Sequence, residues 1–498
     1  MRIEALKARP TPHWTHVPVR TVRTMESLLT TQARRVAQRR VLAATSISYV
    51  VVILDTSIVN VALQSIGATF GGGMAALQWV VNAYTLAFAS LLLTGGMLGD
   101  RWGARNSYLG GLAVFTVASA LCGFAPDMTV LIAARVLQGV GAALLVPCSL
   151  TLLNHAYPDA GERARAIGVW AGCGGAALAA GPLAGGVLID VWGWRGIFAV
   201  NVPIGLLGIW LTLRVARDER RETARHLDLA GQFAAIVALG ASIAVLIEGG
   251  SLGWGSPAVV AGIGASVVAW AGFIAIEVRR AQPMLPLAFF RHGVSTGAAF
   301  AAMTTALTSF GLVFVLALYF QRARGYSPLW TGLAFLPLTV VVTGGNVAVG
   351  RLVKAYGARW PLTAGLALQA AGFAALALPD TTAPYWLVAL PLPLVGLGGG
   401  FVTPAATAAL MSTVDARRAG IAAGVLNSAR QAGAALGVAV FGTLLAVEPR
   451  FIDGMRESLW VSCALSAVAI AAWWGGCHAA QAAGGAVGRG ELKSNVKS

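Results

Sequence analysis

Fourteen apolar stretches divide the chain, and this pattern restricts its fold more than any other feature of the sequence. A helix needs about 20 predominantly apolar residues to cross the roughly 30 Å hydrocarbon core of a bilayer. The stretches lie at residues 41–63, 76–98, 107–125, 129–153, 164–188, 196–215, 229–248, 257–277, 293–319, 328–349, 360–378, 384–411, 419–446 and 458–477. We therefore predict an all-α integral membrane protein with fourteen transmembrane helices.

The composition excludes the soluble classes of protein. The sequence is 57% hydrophobic and 11% charged, whereas soluble domains carry about 25% charged residues. A soluble domain has too little core volume to bury so much apolar surface. Intrinsic disorder needs a more polar composition, and a disulfide scaffold needs dense cysteine. The five cysteines are instead scattered through apolar stretches, so a multi-pass membrane protein is the remaining class.

The positive charge of the chain is concentrated on one side of the predicted membrane. The formal net charge is +16, from 36 Lys and Arg and 20 Asp and Glu. If residue 1 is cytoplasmic, 29 of the 36 basic residues lie in cytoplasmic segments and 5 lie in outside loops. Cytoplasmic loops carry an excess of Lys and Arg, so we predict a plasma (inner) membrane protein with both termini in the cytoplasm. The topology accounts for the charge, and we predict no nucleic-acid partner.

Two charged residues lie deep inside predicted spans of the N-terminal half, where hydrocarbon does not tolerate unpaired charge. Asp55 lies near the middle of span 1, and Arg135 lies in span 4. An ionisable residue inside a span costs about 2.5–3.5 kcal/mol on insertion scales and so marks a functional site by default. A buried carboxylate can take up and release a proton, and a permanently charged guanidinium nearby can steer that exchange. We predict proton coupling at Asp55 and Arg135; a packing carboxylate and a structural ion pair are the alternatives.

Further polar residues of the spans are candidates for a substrate cavity between the helices. These candidates are Asn60, Gln138, Asn427, Arg430 and Gln431. Asn60 follows the span 1 carboxylate by about a turn and a half, so the two side chains lie on different faces. Arg430 stands beside a stripe of small residues at four-residue intervals, which is typical of close helix packing. Substrate or gating contact and packing remain alternative interpretations for Arg430.

Span 5 combines small residues with a proline inside the helix. Gly181 and Gly185 are four residues apart, and Pro182 lies between them. Small residues let two helix backbones approach closely, while proline removes one backbone hydrogen bond and bends the helix. This pattern predicts a helix that bends or tilts against its neighbours.

The sequence lacks the motifs of a pump driven by nucleotide hydrolysis and of an enzyme. No Gly-Lys pair occurs, so the phosphate loop of a primary pump is absent. The six histidines lie in tails or loops without metal-ligand spacing. We predict that the protein is not an enzyme, binds no metal or other cofactor, and uses protons as its coupling ion.

The two halves of the chain contain a repeated loop. Residues 96–105, GMLGDRWGAR, align without gaps with residues 350–359, GRLVKAYGAR. Both segments lie in short cytoplasmic loops between two predicted spans, so the two halves have the same orientation. Parallel repeats are typical of secondary transporters whose bundles rock around a substrate near the membrane midplane.

These segments resemble the signatures of a known family. Residues 96–105 resemble the loop 2–3 signature of the major facilitator superfamily, and residues 135–141 resemble its span 4 signature. Residues 181–186, GPLAGG, are similar to the span 5 antiporter signature. Residues 54–63 are similar to the span 1 signature of the fourteen-span drug:proton antiporters. The similarity runs from about residue 41 to residue 477.

The resemblance implies a domain organisation. It implies two six-helix bundles, at residues 41–216 and 292–478, joined by a linker with an inserted transmembrane hairpin at 217–291. Residues 1–40 are basic and lack a helical apolar period, so we expect an arm that is disordered or lies on the membrane surface. Residues 479–498 form a cytoplasmic tail.

The resemblance also implies roles for individual residues. Asp55 would carry the proton, and Arg135 would assist its movement. The antiporter helix would be shaped by Gly181, Pro182, Gly185 and Gly186. A latch on the cytoplasmic side would be formed by Gly96, Asp100, Arg101, Gly103 and Arg105.

The function implied by the resemblance is proton-driven export of amphipathic, often cationic, drugs or toxic compounds by alternating access. The partners are then a small-molecule substrate and the lipid bilayer. A dedicated exporter of one endogenous metabolite, a proton-coupled importer and a non-transporting membrane sensor are the alternatives. The sequence leaves the oligomeric state open and is compatible with a monomer.

Overall fold

The structure is a computed structural model that describes residues 19–214, 228–280, 292–414 and 419–495. Every regular element within these ranges is a helix. In chain order they are α1 (Val19–Phe70), α2 (Met74–Trp102), α3 (Ala104–Gly123), α4 (Met128–Ala156), α5 (Ala160–Trp192), α6 (Gly196–Ala199), α7 (Asn201–Leu213), α8 (Leu229–Leu252), α9 (Pro257–Arg279), α10 (Gly293–Leu318), a π-helical turn (Tyr319–Ala323), α11 (Pro328–Ala334), α12 (Leu336–Tyr356), α13 (Arg359–Leu376), α14 (Tyr385–Ala389), α15 (Leu392–Met411), α16 (Ala419–Val447) and α17 (Phe451–Asn495). The predicted all-α fold is confirmed.

The helices account for the predicted membrane spans. In the described part of the chain, 13 helical segments are long and apolar enough to cross a bilayer. The remaining predicted span, 360–378, corresponds to α13, which packs against α15 and α17. Arg359 and Gln369 lower the mean hydropathy of α13. The fourteen-helix architecture is thus compatible with the structure.

The first helix begins earlier than the sequence pattern predicts. Helix α1 starts at Val19, so residues 19–40 of the expected arm are helical, and residues 1–18 lie outside the described residues. Extending an existing helix costs little compared with starting one, and most residues of this segment are good helix formers. Gln38 Nε2 donates a hydrogen bond to the Ala156 carbonyl at 3.0 Å. This bond ties the extension to the end of α4.

Successive spans run in opposite directions, so the two ends of the chain point to the same side. We call this side the terminal face; it contains the connections at residues 103 and 157–159. The opposite side, which contains the connections at residues 71–73 and 193–195, is the far face. At the far face, Trp194 Nε1 donates to Thr69 Oγ1 at 3.0 Å.

Each half of the chain packs as a helix bundle. In the N-terminal bundle, α4 packs against α2 and α3, and α5 packs against α1; in the C-terminal bundle, α15 packs against α12 and α13, and α16 packs against α10. The backbones approach closely at glycines. A Cβ on Gly141 would lie 2.7 Å from the Phe115 nitrogen, and one on Gly365 would lie 2.8 Å from the Gly398 oxygen. Small residues permit this packing where hydrocarbon chains cannot drive helices together.

The hairpin α8–α9 lies beside the junction of the two bundles. Helix α8 packs against α2 and α16, and α9 packs against α8. Near the far face, Trp79 Nε1 donates to Glu248 Oε1 at 3.0 Å. On the α16 side, Thr443 Oγ1 donates to the Leu246 carbonyl. Helix α8 of the hairpin therefore contacts both bundles.

Candidate functional site

Asp55 and Arg135 form an ion pair in the interior of the N-terminal bundle. Asp55 lies on α1 and Arg135 lies on α4, with exposed side-chain fractions of 0% and 1%. The Asp55 oxygen that faces away from the guanidinium, Oδ1, accepts hydrogen bonds from Gln138 Nε2 at 3.1 Å and Asn201 Nδ2 at 3.0 Å. Both carboxylate oxygens therefore have partners, contributed by α4 and α7.

The guanidinium of Arg135 is fixed by groups of α2 and α4. Its Nε donates to the Val80 carbonyl at 3.1 Å, and its Nη1 donates to Gln138 Oε1 at 2.7 Å. Its central carbon lies 4.4 Å from the centre of the Tyr84 ring. Gln138 in turn donates to Ser119 Oγ of α3 at 2.7 Å. These contacts offset the desolvation of the ion pair and hold it in one geometry.

Of the two groups, Arg135 keeps its charge, because a guanidinium is not deprotonated in proteins. Protonation of Asp55 removes the counter-ion of Arg135 while leaving the positive charge buried. A buried charge without its partner is costly, so the two protonation states favour different packing of α1 against α4. Loss of the Asp55 charge would therefore act on the contact between α1 and α4.

Asn201 is a member of this site that the sequence analysis did not single out. It begins α7, and its side chain is 1% exposed. An amide in an otherwise apolar segment is a signal for a buried polar contact. The sequence alone, however, does not indicate which carboxylate such an amide contacts.

A cavity with an empty volume of about 940 Å³, including its opening, lies between the two bundles. Its lining comes from α1, α5, α10, α12, α15 and α16. Of the predicted cavity residues, Asn60 and Arg430 line it, and Gln138 belongs to the ion-pair network instead. Asn427 and Gln431 are not among the lining residues.

Helix α1 presents one face to the ion pair and another to the cavity. Asp55 faces the interior of the N-terminal bundle. Ser57 and Asn60, on the next turns, line the cavity. Helix α1 therefore joins the ion pair to the wall of the cavity.

Helix α5, the predicted antiporter helix, packs against α1 through its glycines. A Cβ on Gly181 would overlap Ser57 Oγ, and one on Gly185 would lie 2.7 Å from Ile58 Cγ1. Pro182 lines the cavity on the same turn. Helix α5 thus connects the carboxylate-bearing helix with the cavity wall.

Contacts near the far face join the two bundles, and we call this group the far gate. It consists of Pro182 and Gly186 of α5, Leu329 and Gly332 of α11, Gln78 of α2 and Gln321 of the π-helical turn. Gln78 Nε2 donates to the Ala439 carbonyl at 2.8 Å, and Gln321 Nε2 donates to the Val61 carbonyl at 2.8 Å. The structure therefore has a closed far face. Sequence analysis did not single out these two glutamines, whose partners are distant in the chain.

We expect Gly332→Ala to open the far gate. A Cβ at this position would lie 2.5 Å from the Pro182 carbonyl oxygen and 2.8 Å from Leu183 Cα, and backbone cannot move aside cheaply. Overpacking of this kind costs about 1–3 kcal/mol, which disfavours the closed state. The measurement is the distance between spin labels at Phe124→Cys and Leu378→Cys, exposed positions near the far ends of the two bundles, in a cysteine-free background.

The matched control is Gly344→Ala on α12, where a Cβ meets nothing within 4 Å. Gly332→Ala should increase the population with long label distances, and the control should leave it unchanged. Equal distance distributions in both variants would contradict the assignment of the far gate.

The residues of the predicted latch lie at the terminal face of the N-terminal bundle. Gly103 has a φ of 88°, which a residue with a Cβ adopts only with strain, and it allows the tight turn between α2 and α3. Arg105 Nη2 donates to the Leu213 carbonyl at 3.0 Å, Arg101 is exposed, and Gly96 faces Pro147 of α4. Asp100 is half-buried in the same region. A latch between the bundles in another state of the protein stays a prediction.

Two helix bundles, a cavity between them and a buried ion pair beside it define an integral membrane transporter. The sequence adds the family, because residues 45–438 match the model of the Major Facilitator Superfamily. The protein belongs to the Major Facilitator Superfamily.

Relatives of this chain are resistance proteins. The chain is 38% identical over 405 residues to the multidrug resistance protein Stp of Mycobacterium tuberculosis (strain CDC 1551 / Oshkosh), covering 81% of this chain and 75% of that protein. It is 38% identical over 407 residues to the methylenomycin A resistance protein of Streptomyces coelicolor (strain ATCC BAA-471 / A3(2) / M145), covering 81% and 85%. These relatives confirm the resemblance to the drug-efflux transporters of the superfamily.

The fold is shared with solved structures. A bacterial homolog of the human lysosomal transporter Spinster, in an inward-facing and unoccupied conformation, superposes with a TM-score of 0.62 at 18% identity, covering 88% of this chain and 97% of that chain. At this identity the similarity establishes the fold. The predicted multi-pass membrane protein is confirmed.

Proposed function

We propose that the protein exports amphipathic drugs or toxic compounds by alternating access, in exchange for protons. One observation carries this proposal: Asp55, the carboxylate of the ion pair, lies on the same helix, α1, as part of the cavity lining. Proton uptake and substrate binding then act on one structural element. Coupling requires that the proton and the substrate each bind one state of α1 more tightly than the other state.

The proposed cycle uses the predicted orientation. With both termini in the cytoplasm, the terminal face is cytoplasmic, and the closed far gate corresponds to an inward-facing protein. Substrate enters the cavity from the cytoplasm or inner leaflet while Asp55 is ionised and paired with Arg135. After the bundles rock, a proton from outside neutralises Asp55 and favours substrate release. The proton leaves to the cytoplasm when the far gate closes again.

The names of the relatives support the substrate class. One relative is named a multidrug resistance protein and another a methylenomycin A resistance protein. Export is the way in which a membrane transporter protects a cell from such compounds. We therefore place drugs or antibiotics, together with toxic compounds of similar chemistry, ahead of nutrients. The resemblance also implies cationic compounds, but the described cavity lining includes no carboxylate to pair with a cation.

Three alternatives predict different transport behaviour. A dedicated exporter moves one metabolite and ignores a panel of drugs. A proton-coupled importer moves substrate and protons in the same direction. A sensor shows no substrate-dependent proton flux at all.

The proposal is tested with inverted membrane vesicles that contain the protein. Vesicles energised to an acidic, positive interior should accumulate panel compounds, and collapse of the proton gradient with an uncoupler should release them. Vesicles without the protein are the control. Accumulation that persists after uncoupling, or uptake driven by an alkaline interior, would contradict drug:proton antiport.

A further inference from the structure

Arg430 is the charged side chain of the described cavity lining, and the described residues provide it with no ion-pair partner. It extends from α16 into a lining of otherwise apolar residues, hydroxyls and one amide. Among the described residues, the ion pairs join Asp55 to Arg135 and Asp228 to Arg280. Arg430 therefore differs from Arg135, whose charge is neutralised by Asp55.

The described surroundings of Arg430 do not neutralise it. The guanidinium is half-buried, and Tyr49 of α1 lies within electrostatic range. The Tyr49 ring stacks on Trp170 of α5 with ring centroids 3.8 Å apart. An unpaired guanidinium in a region of low dielectric attracts an anion strongly and repels a cation. The planar group can also bind a carboxylate through two parallel hydrogen bonds.

Asn60 adds a second polar feature to the cavity. Its Nδ2 donates to the Thr56 carbonyl at 3.3 Å and the Ser57 carbonyl at 3.4 Å within α1. Its Oδ1 is buried without a hydrogen-bond partner. A buried acceptor of this kind is costly unless a donor reaches it.

We propose that the cavity selects amphipathic compounds that carry an anionic group, such as a carboxylate, which pairs with Arg430. The apolar body of the compound packs against Phe310, Phe335 and Leu338. This inference rests on the proposed function, since it takes the cavity as the substrate site. It replaces the expectation of a cationic substrate with one based on the charge of the cavity.

The test measures binding of three matched fluorescent probes: anthracene-9-carboxylate, its carboxamide and 9-(aminomethyl)anthracene. The protein is held in nanodiscs of phosphatidylcholine, so that no anionic lipid supplies the headgroup. We expect the carboxylate to bind most tightly and the amine most weakly. Arg430→Gln should weaken carboxylate binding by roughly 30-fold and change carboxamide binding little. Arg430→Lys should retain most of the preference, because it keeps the positive charge.

The charge-matched control is Arg450→Gln, which removes a positive charge from the exposed far-face loop and should not change the preference. Gel filtration and thermal unfolding establish that each variant is folded. Tighter binding of the amine than the carboxylate, an unchanged preference in Arg430→Gln, or no carboxylate binding at all would overturn the inference. Displacement of the carboxylate probe by added phosphatidylglycerol would show that the site prefers a lipid headgroup. This result would also overturn the inference that the ligand is a drug with a carboxylate.

This binding experiment separates the two proposals. Arg430-dependent carboxylate binding without proton-coupled transport would reject antiport and keep the charge preference. Proton-coupled transport restricted to cationic compounds would reject the charge preference and keep antiport.

Discussion

Asp55→Asn is expected to abolish proton-driven accumulation of substrate while leaving substrate exchange intact. Asparagine is nearly isosteric with aspartate and can still accept hydrogen bonds from Gln138 and Asn201, but it carries no exchangeable proton and no charge. A transporter without its proton site can still rock with bound substrate. In proteoliposomes, uptake driven by a pH gradient should therefore fall to the level of empty liposomes, and counterflow of labelled substrate should continue.

The matched control is Asp190→Asn, which removes an exposed carboxylate near the far end of α5. Its pH-driven uptake should equal that of the wild type. Full accumulation by Asp55→Asn would show that another group carries the proton. Loss of both uptake and counterflow would require a test of folding, which the next experiment supplies.

Arg135→Gln is expected to reduce stability more than removal of both charges. The substitution leaves Asp55 buried without its counter-ion, which typically costs about 3–5 kcal/mol. The double variant Asp55→Asn with Arg135→Gln replaces the ion pair with amides that can hydrogen-bond to each other. Its unfolding free energy should therefore lie closer to the wild-type value than that of either single variant. The measurement is thermal or denaturant unfolding in detergent, analysed as a double-mutant cycle.

The interpretation of this cycle depends on the sign of the coupling. A recovery of stability in the double variant shows that the two charges stabilise the fold through each other. Purely additive losses would contradict the buried ion pair. Transport by the double variant then separates stability from coupling, because we expect it to fold and exchange substrate but not to use a pH gradient.

The sequence is sufficient to predict the spans and the two charges of the ion pair. The length of an apolar stretch shows directly whether a helix can cross the membrane, because the thickness of the hydrocarbon core fixes the number of residues that are needed. A charge inside a span indicates a buried partner or a cavity, because hydrocarbon does not tolerate it alone. Asp55 and Arg135 could therefore be predicted individually, although their direct contact is a finding of the structure.

The partners that depend on helix rotation could not be predicted. Asn201 contacts Asp55 across 146 residues, and Gln78 contacts Ala439 across 361 residues. Hydropathy says which residues cross the membrane but not which helices are neighbours or which faces meet. The helical extension of α1 was also missed, because a polar helix held at one end by a membrane span needs no apolar period of its own.

The residues that line the candidate cavity also could not be predicted from the sequence. Arg430 could be singled out as a charge in a span, but packing and substrate contact were equally compatible with the pattern of small residues around it. The structure places Arg430 on a cavity whose described lining includes no carboxylate. That arrangement depends on side chains from six helices, and no local pattern contains it.

The most direct test of the central claim imposes a substrate gradient instead of a proton gradient. Proteoliposomes are loaded with a transported compound and diluted into compound-free buffer at equal pH, with the membrane potential clamped, and lumenal pH is followed. Antiport requires substrate leaving the vesicle to drive protons inward, so the lumen should acidify in the wild type and not in Asp55→Asn. Alkalinisation of the lumen would show symport, and a constant pH during substrate loss would show transport without proton coupling; either result would contradict the proposed mechanism.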